Sequence, residues 1–386
     1  MSGHGIRGRA AIVGAALAGL GEAPGRSSEE IAVEASVKAL AEAGLTTRHV
    51  DAVFGSLPGN SNPLSALLIA EMLGIQPKFT DNNRTGGSTF LSYTQMAAMA
   101  LDAGLCETAL IFYGSNQRTA AGKLVSSVKP FAYEAPYAPI FPATSYALAA
   151  SRHMHEYGTT REQLAAVAVA ARVWANKNPE AFMRGPLTVA DVLASRMVSS
   201  PLTARDCCLV TDGGAAIVMT RADRARHLPK KPVYLLGAAA ATTHMNIVAM
   251  ADLTRTAAID SGQRAMAMAG VSPRDFDVVE LYDAFTINTV LFLEDLGFCA
   301  KGEGGPFVAS GAIAPGGSLP VNTNGGGLSC VHPGMYGMFT LVEAVRQLRG
   351  EGGERQVAGA ELALCHGNGG VLSSQITNVL GTEITL

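Results

Sequence analysis

The chain contains no uninterrupted apolar run approaching about eighteen residues, which argues against a membrane-spanning helix. It has no excess of basic charge either. A formal net charge of −3 gives no electrostatic case for nucleic-acid binding or for a polybasic membrane anchor. The six cysteines (Cys106, Cys207, Cys208, Cys299, Cys330 and Cys365) show no CxxC and no paired Cys/His spacing. A structural zinc site or disulfide framework is therefore not expected, no metal ligand is assigned, and a reducing cytoplasm is the expected compartment. Met1 to Arg9 lacks the charged-then-apolar plan of a secretory signal, because Ala10 to Leu20 is strand-like and broken by glycine. Charge is scarce at 16%, against 48% hydrophobic residues, so much of the surface of this chain is hidden on folding. What it has in abundance is small residues: 43 glycines, and alanine-rich runs such as Ala165 to Ala171. These permit the close helix–sheet contacts of layered α/β proteins. A length of 386 residues exceeds one ordinary core, so two cores or one large duplicated core is expected.

The sequence repeats itself. Ala41-Glu-Ala-Gly-Leu-Thr-Thr-Arg-His-Val-Asp51 returns as Ala267-Met-Ala-Gly-Val-Ser-Pro-Arg-Asp-Phe-Asp277. Each reads as a helix ending at glycine, a turn, and a strand. Glu71 to Gly74 matches Glu294 to Gly297, each closing a helix with a C-cap glycine. Two glycine turns follow, Gly86-Gly87 and Gly325-Gly326-Gly327, each leading into a helix, the second over Met338 to Leu348. Last, Thr108 to Asn116 matches Leu362 to Asn368, a buried strand entering a glycine loop. Four landmarks in one order indicate a duplicated α/β unit, with halves at 1–229 and 230–386. The second half opens at Pro232 to Gly237, echoing Ala10 to Gly14. An inserted region over about 117–196, helical from Arg161 to Asn176, is of a size that forms lids or substrate-binding loops.

Polar residues gather at these turns. His332 follows the triple glycine and precedes Pro333-Gly334, where a fixed imidazole can act as a general base or hold an oxyanion. Clustered glycine lets a backbone approach a ligand closely. Tyr282 and Asp283 end a strand, the place where open α/β sheets present ligand contacts. For Asp283 the alternative is capping of the next helix; for Tyr282 it is packing. Cys365 and His366 open the last glycine loop, and a thiol there is a nucleophile or proton carrier if its pKa is lowered. Cys207-Cys208 reads as core, and Cys106 and Cys299 as helix ends. Trp174 and the tyrosines from Tyr133 to Tyr146 either line an apolar acyl pocket or pack.

Tyr282-Asp-Ala-Phe285, Gly325-Gly-Gly-Leu-Ser-Cys-Val-His-Pro-Gly334 and Cys365-His-Gly-Asn-Gly-Gly370 together resemble the thiolase superfamily, closest to its sterol-carrier-protein-type members. Arg205 to Ala216 resembles the end of that family's first half. The resemblance implies a duplicated five-layer αβαβα fold, a homodimer, no bound cofactor, and coenzyme A thioesters as substrates. It assigns His332 as the histidine that activates the nucleophile and Cys365 as the acid/base cysteine, a role open also to His366. Asn324, Gly326, Gly367, Asp283 and Ser88 are carried over as groups that orient substrate or an oxyanion.

The family's nucleophilic cysteine stands before the first glycine turn, and here that position is Arg84, with Thr85 and Ser88 the nearby hydroxyls. Val331 and Tyr282 also depart from the usual pattern. Three readings follow. The first is retro-aldol cleavage of a β-hydroxyacyl-CoA without an acyl-enzyme, through Tyr282, His332 and the Cys365/His366 loop. This reading resembles the steroid side-chain aldolases, which work with a small zinc-ribbon/OB-fold partner. The second is acyl transfer or thiolysis with a relocated nucleophile, Cys330 or Cys365. The third is a non-catalytic acyl-CoA-binding subunit.

Overall fold

A computed structural model describes residues 5–58, 64–121 and 132–386. Part of the 117–196 region, residues 122–131, therefore lies outside the described residues. Nine strands form one mixed sheet: β1 (Ala10–Gly21), β2 (Ala52–Ser56), β3 (Phe79–Asp81), β4 (Thr108–Ser115), β5 (Asp212–Arg221), β6 (Val233–Thr242), β7 (Val278–Leu281), β8 (Leu362–Gly369) and β9 (Ser374–Gly381). Their order is β3-β2-β4-β5-β1-β6-β9-β8-β7. Most are buried along their whole length, and runs such as Thr-Ala-Leu-Ile-Phe-Tyr in β4 are apolar on both faces because helices cover both.

The pairing pattern repeats. β1 runs antiparallel to β5, β5 to β4, and β4 is parallel to β2. In the second half β6 runs antiparallel to β9, β9 to β8, and β8 is parallel to β7. Even the short parallel edge strand β3 beside β2 has a counterpart, a bridge from Val279 to Val321. The halves meet where β1 pairs with β6 at Ala11↔Tyr234 and Ile12↔Val233.

Among the described residues seven longer helices complete the layers: α1 (Ser28–Glu42), α2 (Thr89–Asp102), α3 (Ala143–Tyr157), α4 (Arg161–Asn176), α5 (Ala258–Ala269), α6 (Thr286–Asp295) and α7 (Gly337–Arg349). α1 covers β1, β4 and β5, and α5 covers β6 and β9. α2 and α7 each touch strands of both halves, so the two half-sheets enclose them. The layers read helix, sheet, helix, sheet, helix.

The Gly14/Gly237 match has a physical cause in this packing. A Cβ on Gly14 would lie 2.0 Å from the Ala39 carbonyl oxygen of α1, and one on Gly237 would lie 2.1 Å from that of Ala265 in α5. Only glycine lets each outer helix sit that close to its strand. At the centre, a Cβ on Gly337 would lie 2.1 Å from the Gly87 carbonyl oxygen, so the starts of α2 and α7 are in direct contact. The first glycine turn and the segment from His332 to the start of α7 therefore face one place.

Candidate active site

At that place the surface opens into a cleft of about 430 Å³. The first turn supplies Arg84 to Gly87 to its wall, the end of β4 supplies Tyr113, and the turn before α7 supplies His332, Gly334 and Met335. The end of β7 adds Tyr282 and Phe285, the end of β8 adds Asn368, and α3 adds Tyr146. Among the described lining residues Arg84 is the one side chain of permanent charge, and none is a carboxylate. The starts of two helices point here as well. All of these favour an anion in the cleft.

Tyr282 and His332 meet. The Tyr282 hydroxyl lies 3.1 Å from His332 Nε2, with the two rings edge to face. His332 is fixed at its backbone, where its N–H donates to Thr211 Oγ1 and its carbonyl accepts from Gln117 Nε2. Tyr282 is fixed by shape: a Cβ on Gly87 would fall 1.9 Å from its Cε2, so its ring occupies the space left by that glycine. Burial pushes His332 down to about 4 and pushes Tyr282 above its usual range, with Cys208 and Tyr146 adding to the latter. Both groups are therefore neutral at pH 7. His332 Nδ1 is buried without a partner among the described residues.

The other expected residues stand behind this pair. Asp283 does not cap α6, whose N-cap is Phe285 without a side-chain bond. Its carboxylate instead accepts from the Gly327 N–H at 2.6 Å and the Leu328 N–H at 3.4 Å, and so anchors the turn that carries His332. Burial raises it to about 7 against the pull of those N–H groups. A Cβ on Gly326 would lie 2.0 Å from Asp283 Oδ2, which is why this turn takes glycine. Asn324 Oδ1 accepts from the Gly326 N–H and the Tyr336 hydroxyl. Ser88 Oγ donates to Ser374 Oγ beneath the first turn, and a Cβ on Gly367 would lie 3.0 Å from the Ser88 Cα.

None of the three expected catalytic residues Cys330, Cys365 and His366 lines the cleft. Cys330 accepts from Asn178 Nδ2, Cys365 donates to the Thr340 carbonyl of α7, and burial raises both thiols above their usual range. His366 lies between Thr377 and Gln375, lowered to about 4 by burial. The cysteine that does line the cleft is Cys208, read from sequence as core, and burial raises its thiol also. Tyr146 lines the cleft, while Trp174 donates to the Ile313 carbonyl and packs. Tyr113 and Asn368 were not singled out from sequence. For Asn368 a signal existed: strand residues alternate between faces, and Asn368 is the last polar side chain before the β8 end.

The geometry agrees with the comparisons. Residues 239–382 match the family described as thiolase C-terminal domain-like. The chain is 36% identical over 388 residues to the 17-hydroxy-3-oxo-4-pregnene-20-carboxyl-CoA lyase of Mycobacterium tuberculosis, covering 96% of this chain and 98% of that protein. It is 36% identical over 377 residues to an acetyl-CoA acetyltransferase of Methanothermobacter thermautotrophicus, covering 93% and 96%. Among solved structures it superposes on the Ltp2-ChsH2(DUF35) aldolase with a TM-score of 0.88 and 34% identity, covering 98% of this chain and 99% of that one. This chain belongs to the thiolase superfamily, among its sterol-carrier-protein-type members.

Proposed function

We propose that this protein cleaves the Cα–Cβ bond of β-hydroxyacyl-CoA thioesters by a retro-aldol reaction, without a covalent acyl-enzyme. The observation that carries the reading is the Tyr282–His332 pair at 3.1 Å in a cleft whose first turn offers arginine rather than a thiol. The substrate β-hydroxyl gives its proton to Tyr282 Oη as Tyr282 passes its own to His332 Nε2. The freed electron pair forms the new C=O at Cβ, the Cα–Cβ bond breaks, and its pair moves to Cα and the thioester oxygen as an enolate. The imidazolium then returns the proton through Tyr282 to Cα. The products are a ketone or aldehyde and a shorter acyl-CoA, with no oxidant or water consumed. Tyr282 works here as a relay rather than an ionised base, because its burial disfavours the phenolate. Arg84 and the two helix starts offset the enolate charge.

Burial also sets the pH response. His332 stays neutral, and so able to accept, down to about 4. The acid limb of kcat/KM should lie near pH 4, and a limb centred near ~6.5, the ordinary value for imidazole, would contradict the assignment. A separate step near 7 that vanishes in Asp283→Asn would belong to the turn beneath His332.

The relative named as an acetyltransferase supports a second reading, acyl transfer through a cysteine. The test is direct. Purified protein, alone and with a small zinc-ribbon/OB-fold protein, is incubated with a β-hydroxyacyl-CoA, followed by product analysis and intact mass. Retro-aldol chemistry gives the carbonyl product and no acyl adduct. Cys208→Ser, Cys330→Ser and Cys365→Ser should each keep turnover within roughly tenfold, about 1.4 kcal/mol of barrier. An acyl-cysteine in the mass spectrum, or loss of turnover in one serine variant, selects the acyltransferase.

The proposed partners are an acyl-CoA, a second copy of the chain, and a small zinc-ribbon/OB-fold protein; no bound cofactor is invoked. The last is supported by the similarity to the solved Ltp2-ChsH2(DUF35) aldolase. The homodimer is supported by β3, which ends the sheet beside a helix, Ser65–Met72, with Leu67 and Met72 exposed. Halves at 1–229 and 230–386, with 117–196 inserted and contributing Tyr146 to the cleft, belong to the same proposal. So does a cytoplasmic location, since all six cysteines are free and no helix among the described residues is long and apolar enough to cross a membrane.

A further inference from the structure

A chain of buried hydrogen bonds leads from the cleft through the second half-sheet to α5. Asn368 Nδ2 donates to the Tyr146 hydroxyl at 2.8 Å, and Gln375 Nε2 donates to Asn368 Oδ1 at 2.8 Å. His366 Nε2 lies 2.9 Å from Gln375 Oε1, and its Nδ1 lies 2.9 Å from Thr377 Oγ1. Thr377 Oγ1 lies 3.0 Å from Ser261 Oγ in α5. Asn368, Gln375, His366, Thr377 and Ser261 are all buried.

The chain has one direction, set at its cleft end. The Tyr146 hydroxyl reaches the Gly370 carbonyl at 3.2 Å, and a carbonyl only accepts. Tyr146 therefore donates there, so it accepts from Asn368, and Asn368 must turn its NH₂ rather than its oxygen toward Tyr146. That leaves Oδ1 to accept from Gln375, which leaves Gln375 Oε1 to accept the proton on His366 Nε2. His366 Nδ1 then accepts from Thr377, which accepts from Ser261. No amide in the row can flip without two acceptors meeting. The NH₂ of Asn368 has two hydrogens, of which Tyr146 takes one, and the other has no acceptor among the described residues.

We infer that Asn368 is a catalytic residue whose second amide hydrogen holds the thioester oxygen of the substrate and of the enolate, and that Gln375, His366 and Thr377 are positioning residues that fix its direction. This rests on the acyl-CoA reading given under Proposed function. The last glycine loop thus serves the cleft through an asparagine. Its histidine, expected from sequence to exchange protons, only holds the amide in place. The placement fits the electrostatics: a donor locked by its neighbours needs no reorganisation when charge develops on the oxygen.

Acetyl-CoA labelled with carbon-13 at its carbonyl is the probe, and its infrared C=O band on the purified full-length protein is the readout. Bound to the native chain, the band should lie below its position in free acetyl-CoA. Asn368→Ala and the isosteric Asn368→Asp should return it to the free position while the probe still binds. Gln375→Glu is the sharper variant. Its carboxylate cannot donate to Asn368 Oδ1, so the Asn368 amide turns over, Tyr146 redirects its hydrogen from the Gly370 carbonyl to Oδ1, and the donor leaves the cleft with Asn368 itself unaltered. The band should move to the free position there too, and α-proton exchange of the probe into D₂O should slow roughly 10²-fold. A bound band that is the same in the native chain, both Asn368 variants and Gln375→Glu would overturn the inference. The cleavage reading fails separately: a shifted band without retro-aldol products sinks that reading and leaves the Asn368 donor standing.

Discussion

Tyr282→Phe should lower kcat by roughly 10²–10⁴-fold, the span of a lost proton transfer, and leave acyl-CoA binding within a few-fold. The ring of Tyr282 fills the space left by Gly87 and stands edge to face with His332 and with Tyr336, and phenylalanine keeps all three contacts. Only the hydroxyl is lost, and with it the link at 3.1 Å between the cleft and His332 Nε2. His332 would still be neutral and still accept, but it would face a C–H edge. The split between kcat and binding decides the matter, because a residue that merely packs would alter both or neither. Steady-state kinetics with a β-hydroxyacyl-CoA, together with titration of a non-cleavable acyl-CoA, measures that split. A variant that turns over at the native rate removes Tyr282 from the mechanism.

The duplication was legible because glycine is punctuation with a physical cause. Gly14 and Gly237 mark equivalent helix–strand contacts, and both are closer than any Cβ allows. Helix α4 was read over Arg161 to Asn176 and forms there, started by a Thr160 side chain that accepts from the Gln163 N–H. The meeting of Tyr282 with His332 followed from two strand-and-turn motifs that a doubled fold brings to one place.

What sequence did not resolve was which way side chains point. Cys365 and His366 are neighbours in β8, so they face opposite sides, and neither looks into the cleft. Cys365 turns to α7, and His366 turns to the row that ends at Asn368. For Asp283 the sequence offered a ligand contact or capping of the helix that follows it, and α6 takes no cap from it. The partner of Asp283 is the Gly326–Cys330 turn, more than forty residues away along the chain, a contact that the fold creates and that no local pattern encodes. Cys208 reaches the cleft because its N–H pairs with the Ala284 carbonyl, drawing the loop before β5 against the end of β7. Motif resemblance names residue types at a site, but a shift of one position along a strand reverses the face.

Gly87→Ala should cost both stability and rate although it adds a single methyl. Gly87 is not in the left-handed backbone region, so alanine can adopt its conformation and the whole cost is steric. The added carbon would lie 1.9 Å from Tyr282 Cε2 and 2.7 Å from the Asn368 carbonyl oxygen. The backbone contact gives little, so the Tyr282 ring must move. Overpacking of this kind costs about 1–3 kcal/mol of stability, which thermal melting reads. Displacing a reacting hydroxyl by about 1 Å costs on the order of 10²-fold in rate, which kcat reads. The two effects separate in a double variant. Where Tyr282→Phe has already removed the hydroxyl, Gly87→Ala should lower the melting temperature again but slow the residual rate little further. If instead the two rate losses multiply, the glycine serves the cleft by some route other than the placement of Tyr282. The first glycine turn, which carries the nucleophile elsewhere in the superfamily, is on this account retained for the space it gives a phenol.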